Sequence, residues 1–327
     1  MGKERLGWID LAKVISICLV TSYHTAPPLT GYAALLVQLL RMPAFFLIAG
    51  FLFDEQKFPS LTALLKHRAR QLLIPYACFE AILIPATCRS WDEMLDAVRN
   101  ALLGHPTVCM PLWFLVCLFG MQVIHYLGIK VLDRLTNGHW QRYRYWLLGS
   151  YIVICTLLSP LALPQHFQLN AIVINLPFYA AANCCKDWVR EIQWRHKTTI
   201  AACAIGGLLL VWAKSQWPCY LLHLSAGLLL LPPYIATCKV VGRWSRKLPL
   251  VEYLGSNTIV ILALHNYFVL AITKGLELAI GHNLLPQHGW LNPILTIVVV
   301  LCHYPVIKGI NAWTPWLLGR VRRSGGQ

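Results

Sequence analysis

Ile9-Asp10-Leu11-Ala12-Lys13-Val14-Ile15-Ser16-Ile17-Cys18-Leu19-Val20-Thr21-Ser22-Tyr23-His24 reads as an apolar helix of membrane length that carries three ionisable side chains. At about 100° per residue, Lys13 and His24 return to within roughly 20° of one another, and Asp10 and His24 to within roughly 40°. The three therefore form a polar stripe on a greasy rod. Ionisable groups in a membrane helix are costly, face a protein interior or a wet cavity, and mark function. The ordinary alternative is an i,i+3 ion pair of Asp10 with Lys13 at the helix entrance, with His24 an interfacial residue ahead of Pro27 and Pro28.

The rest of the chain has the same character. Its 327 residues are 57% hydrophobic and only 13% charged, which excludes an ordinary soluble domain and indicates a polytopic membrane protein. A net charge of +15 would suggest nucleic acid in a soluble chain. Here basic cytoplasmic loops account for it, and nucleic acid is set aside. The twelve cysteines lie mostly in apolar segments without metal-type spacing, so no metal site is expected. No cleavable signal pattern precedes the prolines, and the first helix is expected to stay in the protein.

Hydropathy and helix breakers predict an all-α bundle of about ten transmembrane helices, near 9–26, 33–53, 72–88, 108–129, 145–162, 169–185, 198–213, 217–238, 256–273 and 292–316. With both termini cytoplasmic, 21 of the 28 Lys and Arg fall inside. Four (Arg89, Arg99, Lys214, Lys274) fall outside and three (Lys13, Arg41, Lys308) at membrane depth. A wrong span count would scramble this segregation. No loop is long enough to fold as a soluble catalytic unit, so residues 1–327 read as one transmembrane domain whose chemistry lies within the bundle.

Several short stretches could carry that chemistry. Arg41-Met42-Pro43-Ala44-Phe45-Phe46 to Gly50-Phe51 sets an arginine at membrane depth, either seeking a buried anionic or carbonyl partner or snorkelling to an interface. Arg68-Ala69-Arg70, ahead of Ile74-Pro75-Tyr76, is either a cytoplasmic lipid-facing anchor or a clamp for a polyphosphate. Leu112-Trp113-Phe114 opens the fourth span, where an interfacial tryptophan is common. Asn257 and His265 sit in the ninth span, where a histidine often serves only an interhelical hydrogen bond.

In their order and spacing these stretches resemble the membrane-bound acyltransferase-3 family, which includes bacterial surface-glycan O-acetyltransferases and fucose acetylase-like proteins. Two positions depart from its pattern: Lys13 stands where arginine is usual, keeping the charge without the two-pronged donor, and Ala49-Gly50 stands for serine-glycine. The resemblance implies transfer of an acyl group, typically acetyl from acetyl-CoA, to a sugar hydroxyl of a surface glycan or its lipid-linked precursor, in a cell inner membrane. No permanently bound cofactor is implied.

Residue chemistry fits that implication. A hydroxyl attacking a thioester needs a base near neutral pKa, which His24 supplies. Asp10 joins His24 as a catalytic position, although it lies about 20 Å away along the helix, and Lys13 about 16 Å. Both are better placed to position the donor, while Arg41, Arg68 and Arg70 hold it, the last two through the CoA phosphates. Trp113, Asn257 and His265 form an acceptor or structural polar site. Donor entry from the basic side and acceptor entry from the other follow. Expected partners are acyl-CoA, a glycan or lipid-linked sugar, membrane lipids and, as an open option, a second copy in a homodimer. Two rivals stand beside this reading: a transporter or flippase for a lipid-linked sugar, and a non-catalytic subunit that docks partners through its basic loops.

Overall fold

A computed structural model of the chain describes residues 6–217, 219–245, 249–280 and 289–320. Lys3, Arg5, Arg246, Lys247, Arg322 and Arg323, which the charge argument places in the cytoplasm, lie outside the described residues.

Among the described residues helix is the only regular secondary structure. The order is α1 (Gly7–His24), α2 (Gly31–Leu52), α3 (Leu61–Arg68), a π-helical turn (Ala69–Leu73), α4 (Ile74–Thr87), α5 (Trp91–Leu102), α6 (Trp113–Leu135), α7 (Arg144–Leu158) and α8 (Leu169–Cys184). There follow α9 (Lys186–Glu191), α10 (Lys197–Gln216), α11 (Tyr220–Ser245), α12 (Pro249–Ser256), α13 (Thr258–Ile280) and α14 (Leu291–Trp313).

Six of these are long and apolar enough to cross a membrane: α2, α6 with the turn before it, α10, α11, α13 and α14. The protein is therefore an all-α membrane protein. The other four stretches expected to span are also helical, but α4, α7 and α8 have only 14, 15 and 16 residues. At a rise of ~1.5 Å per residue α7 and α8 reach some 22–24 Å, while α4 continues unbroken from α3 through the π turn. α1 has 18 residues and owes its lower apolarity to Asp10 and Lys13.

The chain forms two compact units, one of Met1–Phe51 with Ala181–Tyr304, the other of Leu52–Ala180 with Pro305–Gln327. In the first, α10 and α11 pair as a hairpin, and α1 packs against α11, α12 and α13. Leu39, Val211, Ala226 and Leu230 form a buried cluster there. α1 carries polar side chains into this packing: Ser16 and Tyr234 share a 2.8 Å hydrogen bond, and Tyr234 donates onward to the Ala12 carbonyl at 2.6 Å. Gly255 lets α12 approach α1 closely, since a Cβ there would stand 2.7 Å from the Asp10 carbonyl oxygen. Lys239 is not a loose surface charge, for its ammonium donates to the carbonyls of Val189, Arg190 and Ile192 and so caps α9.

In the second unit, α6 packs against α3 and the π turn, and α4 against α5 around buried Ile84, Ala97 and Ala101. Tyr76 fixes α4 to the end of α5 by donating to the Ala101 carbonyl at 2.7 Å.

Candidate active site

Helix α1 stops at His24 for a reason visible in the chain. The carbonyls of Tyr23 and His24 would need N–H donors at positions 27 and 28, and both are proline. Thr25 is accordingly extended. His24 is left at the tip of the helix with its ring exposed. That ring meets Tyr23 edge-on at 5.4 Å between centroids and His265 of α13 at 5.2 Å, tilted by 57°. Arg41 of α2 lays its guanidinium over the Tyr23 ring, 3.6 Å from the centroid. Its Nε is buried and has no hydrogen-bond partner among the described residues.

His265 is wholly buried. Its Nδ1 lies 3.1 Å and 2.9 Å from the carbonyl oxygens of Ile261 and Leu262, so this nitrogen carries the proton and donates it. Nε2 is then an acceptor, buried and without a partner among the described residues. His303 of α14 repeats the arrangement, with Nδ1 2.7 Å from the Val299 carbonyl, its ring 4.1 Å from Phe268 and Nε2 unpartnered. It is close enough to His265 for the two to interact electrostatically. Buried polar atoms without partners are uncommon enough to call for an explanation. One of these two acceptors belongs to the ring that lies 5.2 Å from the exposed imidazole of His24.

The polar stripe of α1 thus divides into two places. Asp10 is buried, with its carboxylate 3.9 Å from the Lys13 ammonium and its backbone against Gly255. Asn257, at the joint of α12 and α13, donates to the Tyr253 carbonyl at 2.7 Å. Fourteen residues on, about 20 Å along the helix, His24 meets His265, and Arg41 lies over the neighbouring Tyr23 ring.

The second unit holds the basic pair, and the structure does not bring its two members together. Residues at i and i+2 of a helical turn point apart. Arg68 faces inward, its guanidinium 5.2 Å from the Phe58 centroid and 5.8 Å from that of Phe53, with Nη1 donating to Gln71 at 2.9 Å. Its Nε is buried and unpartnered, as is the hydroxyl of fully buried Tyr179, with which Arg68 interacts electrostatically. Burial pushes the Arg68 guanidinium below its ordinary pKa, and Tyr179 opposes that shift. Arginine stays charged regardless. His125 packs against Phe53 and Tyr179 at 5.8 Å and 5.5 Å. Arg70 faces outward, is exposed, and donates Nε to the Gly319 carbonyl at 2.9 Å. Gly319 has φ +64°, and any side chain there would collide with the Arg70 carbonyl. Trp113 is half-buried at the start of α6 beside Phe114.

Sequence reasoning missed His303 and Tyr179. His303 lies inside the last apolar span and is visible to the same rule that singled out His24. Tyr179 carries no such signal, because a tyrosine in an apolar helix is unexceptional until its neighbours are known.

The described residues thus form an all-α membrane protein with buried imidazoles, one of them beside the exposed ring of His24. The family model described as an acyltransferase domain, Acyl_transf_3, matches residues 6–307, and the chain belongs to that membrane-bound acyltransferase-3 family. No curated protein and no solved structure matches it.

Proposed function

We propose that this membrane acyltransferase moves an acetyl group from acetyl-CoA to a sugar hydroxyl of a cell-surface glycan or its lipid-linked precursor. The observation that carries the reading is the cluster of His24, His265 and Arg41 at the end of α1. It offers an exposed imidazole as base and a cation next to it, the two groups an ester-forming attack on a thioester needs. His24 takes the proton of the acceptor hydroxyl as its oxygen attacks the thioester carbonyl. The carbonyl oxygen becomes negative and is met by Arg41, so that Arg41 serves the donor at its reacting end. The tetrahedral adduct then expels the CoA sulfur, which takes the proton from His24 and leaves as the thiol. Ester and free CoA are the products, and the histidine returns to its neutral state.

Arg68 grips the donor's phosphates, supported by its aromatic frame of Phe53 and Phe58, with Arg70 adding charge at the exposed side. Asp10 and Lys13 act on the donor rather than on the reacting atoms, in keeping with their distance along α1. Ten membrane spans within one domain, both termini in the cytoplasm and residence in a cell inner membrane complete the reading, supported by the distribution of basic residues. Transfer of label from [acetyl-14C]acetyl-CoA to glycan by the purified protein tests it. Labelled glycan supports it, while binding or movement of the sugar without covalent labelling would favour the transporter.

A further inference from the structure

His24 sits on a helix end that cannot hold itself. Past the last turn of α1, Pro27 and Pro28 supply no N–H, and the carbonyls there must find donors elsewhere or stay unpaired. The prolines deprive the carbonyls of Tyr23 and His24, and the carbonyls on either side of these are taken up by one side chain from the far end of the sequence. Asn292, in the first turn of α14 and almost wholly buried, brings its amide nitrogen to 2.9 Å from the carbonyl oxygens of Ser22, Thr25 and Pro27. Its two N–H bonds are thus shared among three acceptors that bracket His24. The clamp is braced on both sides. Thr25 donates its hydroxyl back to the Thr21 carbonyl at 2.9 Å, and the Thr296 hydroxyl lies 3.5 Å from both the Thr25 hydroxyl and the Asn292 side-chain oxygen.

We propose that Asn292 is a positioning residue for acyl transfer: it fixes the end of α1 so that the His24 imidazole is held against His265 at the reacting point. The proposal rests on His24 being the base. A clamp of this kind acts on turnover rather than on donor binding, because misplacing a base by about 1 Å costs on the order of 100-fold in rate while leaving remote contacts intact.

The test combines two readouts on Asn292→Asp, which keeps the shape and replaces the donor with a carboxylate oxygen facing three carbonyls. Hydrogen–deuterium exchange over residues 19–26 should quicken by about 10-fold or more, while exchange in the α10–α11 hairpin stays unchanged. The kcat should fall by about 10- to 100-fold with the acyl-CoA KM within twofold of wild type. In a His24→Ala background the same substitution should cost nothing more, since its effect runs through that imidazole. If Asn292→Asp does not fold, Asn292→Ala, which removes the donors without adding charge, carries the same comparisons. Unchanged exchange at residues 19–26, an unchanged kcat, or a further loss in the His24→Ala background would each overturn the proposal. Wild-type turnover in His24→Ala would instead remove the base assignment, and exchange alone would then decide whether the clamp exists.

Discussion

The imidazoles of His24 and His265 lie 5.2 Å apart, one exposed at the tip of α1 and the other sealed inside with its Nδ1 committed to backbone carbonyls. Their division of labour follows from that difference. His265 cannot turn without breaking its bonds to Ile261 and Leu262, so it is a fixed wall, while His24 is the exposed ring.

His24→Ala should lower acyl transfer by about 100-fold or more, the usual worth of a positioned base. Membrane insertion and thermal stability should change little, because the lost ring is exposed. Turnover of the purified variant beside its unfolding temperature checks both halves. Undiminished turnover would sink the assignment.

Removing both Arg68 and Arg70 should raise the donor KM and leave kcat nearly alone, since phosphate contacts far from the reacting carbonyl bind ground and transition states alike. The two should not contribute equally. Arg68→Lys keeps the charge but loses the flat group seated over Phe53 and Phe58, and its donor KM should exceed that of Arg70→Lys. Salt gives a second readout. Exposed phosphate contacts are screened over about 10 Å at ~0.1 M, so the wild-type donor KM should climb with ionic strength more steeply than that of the double variant.

His67, beside this pair, is held below the ordinary histidine pKa by desolvation first and then by the charges of Arg68, Arg70 and Lys57. It is therefore neutral at pH 7 and gains its proton only as the pH falls below about 6.5. Once charged it adds to the attraction for phosphate. The ratio of donor KM in His67→Gln to that in wild type should accordingly grow on acidification from pH 7 to about pH 5.5. A flat ratio would place the phosphates away from His67.

Gly255→Ala should destabilise the first unit by about 1–3 kcal/mol, the range for overpacking, because the added carbon would press on the backbone of Asp10. Thermal unfolding in detergent reads this directly. A neutral effect would mean that α12 can retreat from α1 at no cost.

Much of this was legible in the chain before its structure. The ten apolar stretches are all helical, because apolar runs between breakers leave few alternatives. Their bounds were close as well: the stretches read as 72–88, 145–162 and 169–185 hold α4 (Ile74–Thr87), α7 (Arg144–Leu158) and α8 (Leu169–Cys184). The stripe lies on a helix as expected, and the rise per residue had already set Asp10 about 20 Å from His24, at the opposite end of α1. The spacing of Arg68 and Arg70 already implied divergence, since residues two apart do not share a face. The partners of His24 were beyond reach. His265 and Asn292 lie hundreds of residues away, and only the packing of α13 and α14 brings their side chains to the end of α1.

Covalent transfer by this chain can be read from the fate of a labelled acetyl group. Purified protein in lipid nanodiscs, given [acetyl-14C]acetyl-CoA and a surface-glycan acceptor, should yield ester-linked label on the sugar together with free CoA. The His24→Ala protein treated alike should yield about a hundredth of that or less. Equal label from both proteins, or acceptor that is bound and moved but never labelled, would contradict the account.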